Sequence, residues 1–393
     1  MQKIPSAWKR FLLMYLCFAV FTTFTGTFMS SFLLRATGSQ QKVMLFNIAL
    51  AIVQPFIMLA AVKLIRLKTP LFSQSVGLGI YAAVFLWLGI AGESAVDVIL
   101  LIGALISAAN GFFYVTYALQ LQAYTDNENR DACYGLQSLA GGILGLVLPA
   151  AVGLLLGAFT SFTGYRIMFL TGLLFALSAV VCALRLPPVT NVAPEVKLKQ
   201  ALRVILHEKS ALAAMFSSMA GGFYSGTAAF FLSMLLYEIV EKEAVIGACT
   251  TCQHLAAILS AAVYTRCVRP ENRRRSVWLA VGIMLLLTLV LMVKLNAVTL
   301  FGYSVILSAV SPFFLNPPLT GYVTVIERLE GLKGLAGEVH ALREFWYGSG
   351  RVLGILLTML LMNLSHGAAA VLMAIIAVQL LSALLMRKME AEG

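Results

Sequence analysis

Two short segments of the chain place a basic and an acidic residue side by side. Both read Arg, an acid, two variable residues, Tyr and Gly, and they begin at Arg130-Asp131 and at Arg343-Glu344. Adjacent residues on a helix point in different directions, so each charge is expected to pair with a neighbouring element. The pattern predicts a gate whose ion pairs form in one state and break in another. The alternative is a simple capping charge, since an acid in the first turn favours the helix dipole.

Two other ionisable groups lie inside apolar stretches. Arg351 follows Arg343 by eight residues, or roughly 12 Å along a helix. A guanidinium in apolar surroundings must reach water or meet an anion or carbonyl groups, so Arg351 is predicted to anchor an anionic substrate, to pair with a cavity group, or to snorkel. Histidine titrates near neutral pH, and no Asp or Glu lies in the middle of an apolar stretch. His254 is therefore the candidate to accept a coupling proton. Its alternative is a neutral, hydrogen-bonding histidine.

Polar and aromatic residues within the apolar stretches give a candidate binding site. Asn110, Tyr114 and Tyr117 share one helical face. Asn316 precedes two prolines, which predict a bent or broken helix whose freed carbonyls line a cavity. The same side chains could instead serve helix–helix hydrogen bonding. The complete predicted substrate site is Gln54, Asn110, Tyr114, Tyr117, Tyr224, Gln253, Asn316 and Arg351.

The residues expected of an enzyme or a metal centre are missing from these stretches. Cys249 and Cys252 share a helical face, but His254 does not, and no further thiol or carboxylate is near in sequence. We therefore predict no metal and no cofactor. A membrane-embedded enzyme such as an acyltransferase needs clustered acid–base or metal groups, so we predict that the chain is not an enzyme.

The composition requires a lipid environment. Of the 393 residues, 60% are hydrophobic and 11% are charged, and the mean hydropathy is +0.91. A soluble protein could not bury so much apolar surface. About twelve runs approach the ~20 residues that cross a bilayer. They are 11–34, 43–62, 71–91, 98–119, 136–158, 166–184, 211–235, 245–264, 276–293, 298–326, 344–363 and 368–386.

These runs predict an all-α membrane protein of about twelve transmembrane helices in two pseudo-symmetric six-helix bundles. The bundles are 1–184 and 211–393, joined by a cytoplasmic linker at 185–210. Because the Arg-acid-Tyr-Gly pattern recurs in both halves, we interpret the chain as duplicated. Every third span is almost purely apolar and is expected to face lipid, while the others surround something hydrated.

The basic residues predict the orientation. Most Lys and Arg fall on one side of the spans, and that side becomes cytoplasmic, together with both termini, by the positive-inside rule. The other side carries Arg35, Lys42, Arg166, Lys242 and Lys294. This bias accounts for most of the net charge of +11, so no nucleic-acid partner is inferred.

The six cysteines lie in or at the inner ends of spans, which does not suit a disulfide framework.

The fifth span carries small or helix-breaking residues at every fourth position. Residues four apart form one ridge, and a ridge of glycines lets a neighbouring helix approach closely in lipid. The ridge consists of Gly141, Gly145, Pro149, Gly153 and Gly157. Pro149 removes a backbone hydrogen bond and predicts a bend.

With two six-helix halves, a cytoplasmic linker and apolar third helices, the chain resembles the major facilitator superfamily over essentially its whole length. The loop after the second span keeps Lys63, Arg66 and Lys68 but lacks the superfamily's glycines and acid, as in a divergent branch. The fifth span is similar to the antiporter motif, although Gly145 and Pro149 are separated by three residues. The resemblance implies two bundles that rock about a central site and give alternating access.

We therefore predict a secondary transporter in the cell membrane that moves a small organic solute or amphipath, by export. Its expected partners are a small-molecule substrate, the lipid bilayer and protons as the coupling ion, and it is expected to be a monomer. The single buried Arg and the absence of mid-span acids suit a neutral or singly anionic substrate. The alternatives are a lipid or lipid-precursor flippase and a receptor of the same fold that has lost transport.

Overall fold

A computed structural model describes residues 5–125, 130–189, 197–268, 270–332, 335–364 and 366–390. In these residues the chain is helical and contains no strand. The segments before the linker are α1 (Ser6–Thr23), a π-helical turn (Phe24–Phe28), α2 (Met29–Thr37), α3 (Gln40–Leu67), α4 (Pro70–Ala91), α5 (Ile99–Ala123), α6 (Arg130–Gly157) and α7 (Thr163–Leu184). A short helix, α8 (Leu198–His207), follows in the linker. The remaining segments are α9 (Lys209–Val240), α10 (Glu243–Cys267), α11 (Arg273–Val293), α12 (Ala297–Arg328), α13 (Ala336–Leu361) and α14 (Gly367–Glu390).

These helices form a multi-pass membrane protein. Ten helical stretches of the described chain are long and apolar enough to cross a bilayer, and one of them, Pro70–Leu121, contains both α4 and α5. The charged α13 is not among the ten. With α1 and α2 counted as one span, the predicted all-α fold of about twelve membrane helices is confirmed.

The chain contacts define two compact units. Unit 1 comprises Met1–Pro194 and Glu241–Thr251, and unit 2 comprises Glu195–Val240 and Cys252–Gly393. The first part of α10 thus groups with the N-terminal helices and the rest with the C-terminal ones. The predicted bundle boundaries at 184 and 211 stay a prediction.

Unit 1 is held by aromatic side chains and by one buried amide pair. Phe18 of α1 stacks on Phe113 of α5 and meets Tyr81 of α4 edge-on. Gln74 of α4 and Gln120 of α5 exchange two hydrogen bonds of 2.9 and 2.8 Å, and both are fully buried. The pair satisfies both amides inside a membrane helix bundle, where an unpaired amide would be costly.

Unit 2 is organised around α9, which packs against α12, α13 and α14. The crossing of α9 and α13 depends on glycine. A Cβ atom on Gly350 would overlap the carbonyl of Met219, and one on Gly226 would lie 2.6 Å from the Arg351 Cα atom. The two backbones touch here, so the glycines fix where the α13 side chains lie.

The prolines predicted a bent or broken helix, and the structure shows no break, because α12 continues from Ala297 to Arg328. Pro312 cannot donate to the carbonyl of Ser308, and the Ser311 hydroxyl donates to it instead at 2.8 Å. Pro317 similarly frees the Phe313 carbonyl, which accepts from the Ser276 hydroxyl of α11 at 2.9 Å. Serine hydroxyls therefore donate hydrogen bonds to two of the backbone carbonyls that were expected to line a cavity.

Candidate functional site

Unit 2 contains a polar cavity of about 400 Å³ between α9, α10, α12, α13 and α14. Its size falls in the range of small-molecule binding sites. No Asp or Glu is found among the described residues that line it. The polar lining residues are Ser217, Ser218, Tyr224, Ser225, Gln253, Ser304, Ser308, Asn316, Arg343, Tyr347, Gln379 and Ser382.

Three of the predicted substrate residues meet in this cavity. Tyr224 comes from α9, Gln253 from α10 and Asn316 from α12. The Tyr224 ring packs edge-on against Phe314, with ring centroids 4.9 Å apart. The structure therefore brings together side chains that are far apart in the sequence.

The two arginines of α13 differ in whether they line the cavity. Arg343, predicted as a gating residue, lines the cavity. Arg351, predicted as a substrate anchor, is not among the lining residues, and its guanidinium lies 4.8 Å from the centroid of the Tyr347 ring. Tyr347 does line the cavity, so Arg351 contacts a lining residue without lining the cavity itself.

Arg343 makes polar contacts with two other helical positions. Its Nε atom donates to the Ser218 hydroxyl of α9 at 3.1 Å. Its Nη1 atom lies 3.5 Å from the Glu344 carboxylate, so Arg343 pairs with its sequence neighbour as well as with the neighbouring helix that was expected. The guanidinium also lies 5.1 Å from the Tyr322 ring centroid and 5.6 Å from that of Tyr347, within cation–π range.

Serines and glutamine complete the lining. The hydroxyls of Ser217 and Ser382 are buried and 2.8 Å apart, and Gln379 donates to the Ala220 carbonyl at 3.0 Å. Ser304 is 2% exposed, and its hydroxyl has no hydrogen-bond partner in the described part of the chain. These residues are not among the predicted site residues, since serine in a helix commonly bonds its own backbone.

His340 lies one turn before Arg343, ahead of the apolar part of α13. His340 is an exposed residue, but partial desolvation of its ring, together with the charge of Arg343, lowers the pKa of His340 below its ordinary value. A neutral ring can accept a hydrogen bond at Nδ1, and the Tyr322 hydroxyl lies 3.0 Å from that atom. His340 therefore helps to hold Tyr322 against Arg343.

The predicted site residues of unit 1 take part in different contacts. The Tyr81 hydroxyl donates to Asn110 at 2.8 Å, and the Gln137 amide donates to the Tyr117 hydroxyl. Both bonds join neighbouring helices, as the helix–helix alternative expects. Tyr114 is exposed, and Gln54 is partly buried.

The other predicted residues are placed as follows. Arg130 and Asp131 lie in the first turn of α6, and their side chains are outside the described residues. His254 is exposed on α10, five residues from the buried Cys249. In the residues that the structure describes, no three His, Cys, Asp or Glu side chains form a cluster that could hold a metal.

A buried ion pair in unit 1 was not anticipated from the sequence. Arg35 donates to the Glu243 carboxylate at 2.7 Å and to the Thr160 carbonyl at 2.6 Å. The Tyr165 hydroxyl lies 3.2 Å from the same carboxylate. Glu243 is 5% exposed, so this pair holds the first turn of α10 against the N-terminal helices. The sequence feature that could have indicated this pair is Arg35, an isolated basic residue on the side of the predicted spans where basic residues are rare.

The glycine ridge of α6 lies partly against the same part of α10. A Cβ atom on Gly153 would lie 3.0 Å from the Gly247 Cα atom, and one on Gly157 would lie 3.4 Å from the Ala244 Cβ atom. Gly141 has only a side-chain hydroxyl near it, at 3.9 Å. The second half of the ridge therefore makes the close approach, with Pro149 lying beside Gly247.

Comparisons with known proteins place this fold. No family model matches the chain. The uncharacterised protein YqgE of Bacillus subtilis (strain 168) is 23% identical over 349 residues, 86% of this chain and 79% of that protein. An uncharacterised protein in the sodM 3' region of Geobacillus stearothermophilus is 25% identical over 166 residues, 41% of this chain and 78% of that protein.

Solved structures are similar over almost the whole chain. The nucleoside transporter NupG has a TM-score of 0.70 at 14% identity, covering 98% of this chain and 99% of that one. A mutant of the same transporter gives 0.72 at 12% identity, with 98% and 100% covered. A bacterial metal transporter gives 0.68 at 12% identity, with 99% and 100% covered. The chain therefore has the major facilitator fold that its sequence pattern implied.

Proposed function

We propose that the chain is a membrane transporter that carries a small organic solute by alternating access, with the unit 2 cavity as its binding site. The fold supports this proposal because NupG and the metal transporter share it.

The polar cavity carries the proposal. Polar groups inside a membrane protein must face protein or water, and they tend to mark substrate pathways. Here amides, hydroxyls and one guanidinium converge from five helices on about 400 Å³. An unpartnered buried hydroxyl, that of Ser304, is also present among the described residues, and it needs a water or a solute to satisfy it.

The same lining favours a water-soluble solute over the lipid or lipid precursor of the flippase alternative. A lipid tail gains nothing from the amides of Gln253 and Asn316. A metal ion is also disfavoured as the solute, since carboxylates are absent from the described lining.

Several finer features stay predictions. They are export as the direction, protons as the coupling ion with His254 as carrier, a monomeric protein, and a cell-membrane location with both termini in the cytoplasm. Export is supported only by the similarity of α6 to the antiporter motif.

The test is solute flux in proteoliposomes that contain the purified full chain. A nucleoside, a hexose, a neutral amino acid, a monocarboxylate, a divalent metal ion and a labelled lysolipid are compared. We expect saturable flux of one soluble organic solute. Asn316→Leu should reduce that flux about tenfold, because a buried hydrogen bond is lost without a large change in volume.

The matched control is Asn363→Leu, since Asn363 is exposed just beyond the end of α13 and donates to the Met359 carbonyl of that helix. Flux of the lysolipid alone would favour the flippase. The proposal fails if no solute crosses, or if Asn316→Leu transports as well as Asn363→Leu.

A further inference from the structure

The charges around the unit 2 cavity define the class of solute that it suits. Arg343 is the one charged side chain among the described lining residues. A single cation in a membrane interior attracts a single negative charge, and the weak screening there strengthens this attraction. A cationic solute would meet a like charge.

The guanidinium of Arg343 has donors to spare. It carries five N–H groups, and the Ser218 hydroxyl accepts one of them. The Glu344 carboxylate lies 3.5 Å away, longer than the ~2.7–2.9 Å of a good charge-assisted bond, and Glu344 is not a lining residue. Tyr322 and Tyr347 cover the guanidinium without occupying its N–H groups.

Hydroxyl donors lie at the same end of the cavity. Ser217 and Ser218 are adjacent on α9, and Ser217 pairs with Ser382 of α14 at 2.8 Å. Both paired serines are at most 2% exposed. The Ser218 hydroxyl already donates to the Ala214 carbonyl at 2.9 Å, and the Ser217–Ser382 pair keeps one hydroxyl proton to give, so this end offers a carboxylate the N–H groups of Arg343 and one hydroxyl.

The far end of the cavity is uncharged. Leu232 lines it fourteen residues beyond Ser218 on α9, or roughly 21 Å along the helix. Ser304 and Leu307 of α12 also line the cavity, and the buried hydroxyl of Ser304 is unpartnered within the described chain. A polar but neutral group of an occupant would satisfy that hydroxyl.

We propose that the cavity binds a small organic monoanion, with its negative charge at Arg343 and its uncharged, hydrogen-bonding body running toward Ser304. This inference rests on the proposed function, since it names the class of solute. Arg343 is the binding residue, and Arg351 is a positioning residue that acts through the ring of Tyr347.

A series of equal-sized probes with different charge tests the proposal. The full chain in nanodiscs is titrated at neutral pH with 4-hydroxybenzoate, 4-hydroxybenzamide and 4-hydroxybenzamidinium. We expect the anion to bind at least about tenfold more tightly than the amide, as expected for hydrogen bonds to a charged group. The cation should bind least.

Arg343→Gln should abolish the preference for the anion over the amide, and Arg343→Lys should retain part of it. Arg203→Gln is the control, because Arg203 is exposed on α8 and does not line the cavity. The anion-to-amide ratio is the decisive readout, since a variant that merely loosens the fold would weaken both probes. If Arg343→Gln does not fold, the wild-type ratio and its decrease with added salt test the charge alone.

Equal or weaker binding of the anion, or no binding at millimolar concentration, would overturn the inference. Flux of a neutral solute that is unchanged in Arg343→Gln would also overturn it, while the transporter proposal would stand. The absence of flux for every solute would instead reject the proposed function.

Discussion

An ion pair joins Arg35 of α2 to Glu243 of α10 within unit 1. One carboxylate that is 5% exposed receives a guanidinium at 2.7 Å and has the Tyr165 hydroxyl at 3.2 Å. Burying two charges is costly, but leaving one of them alone is worse. The pair therefore acts on α10, the helix that contributes residues to both units.

Replacing Glu243 by Gln is expected to lower the free energy of unfolding by about 2–3 kcal/mol, because Arg35 would lose the carboxylate that it meets at 2.7 Å. Denaturant titration in mixed micelles measures the change. Glu241→Gln, two residues away and exposed, should have little effect. In a double-mutant cycle, Arg35→Gln combined with Glu243→Gln should cost less than the sum of the single changes. Simple additivity would show that the pair contributes nothing.

Residues of the binding cavity could be predicted from the sequence only where their residue type is rare in a membrane helix. Tyr224, Gln253 and Asn316 stand out among apolar neighbours, and the structure places all three in one cavity. Depth along a helix did not distinguish Arg343 from Arg351, because the face that each one occupies depends on how α13 crosses α9. The crossing angle between α13 and α9 cannot be read from a sequence pattern.

At the scale of the elements, glycine sets the closest helix approach. The sequence pointed to α6, where glycines recur at every fourth position. In the structure, α9 and α13 also meet through glycines, with Gly222 and Gly226 facing the α13 backbone and Gly350 and Gly354 facing α9. This crossing holds Tyr347 beside the cavity, so the packing of two helices determines the shape of the site.

We expect Gly350→Ala to destabilise the protein by about 2 kcal/mol, since the new methyl group would overlap the Met219 carbonyl and overpacking has costs of this order. Gly282→Ala on α11 is the matched control, because nothing lies within 4 Å of its added Cβ atom. Alanine also favours helix, so the control should be neutral or slightly stabilising. Thermal unfolding in detergent compares the two. Equal stability of the variants would contradict the backbone contact between α9 and α13.

The absence of a break in α12 has a physical reason. Prolines remove backbone donors, and the sequence therefore predicted a bent or broken helix. The freed carbonyl of Phe313 is satisfied by Ser276, which is on another helix. Such a bond depends on tertiary packing, and neighbouring helices commonly compensate for proline in membranes in this way.

At the scale of the whole molecule, the span count could be predicted because hydropathy and length are local properties. The grouping of Glu241–Thr251 with the N-terminal helices could not. It depends on Gly153 meeting Gly247 and on Arg35 meeting Glu243, contacts between residues far apart in the chain. The predicted orientation of the molecule in the membrane depends on a third kind of information, the distribution of basic residues.

That orientation leads to a prediction in which a single helix supplies both the test and its control. Lys42 and Lys68 are exposed at opposite ends of α3, whose 28 residues span roughly 42 Å, and the positive-inside bias assigns them to opposite sides of the membrane. In a variant without the six native cysteines, a membrane-impermeant maleimide should label Lys42→Cys in intact cells. Lys68→Cys should be labelled only after permeabilisation. The reverse pattern would place both termini outside and would contradict the predicted orientation.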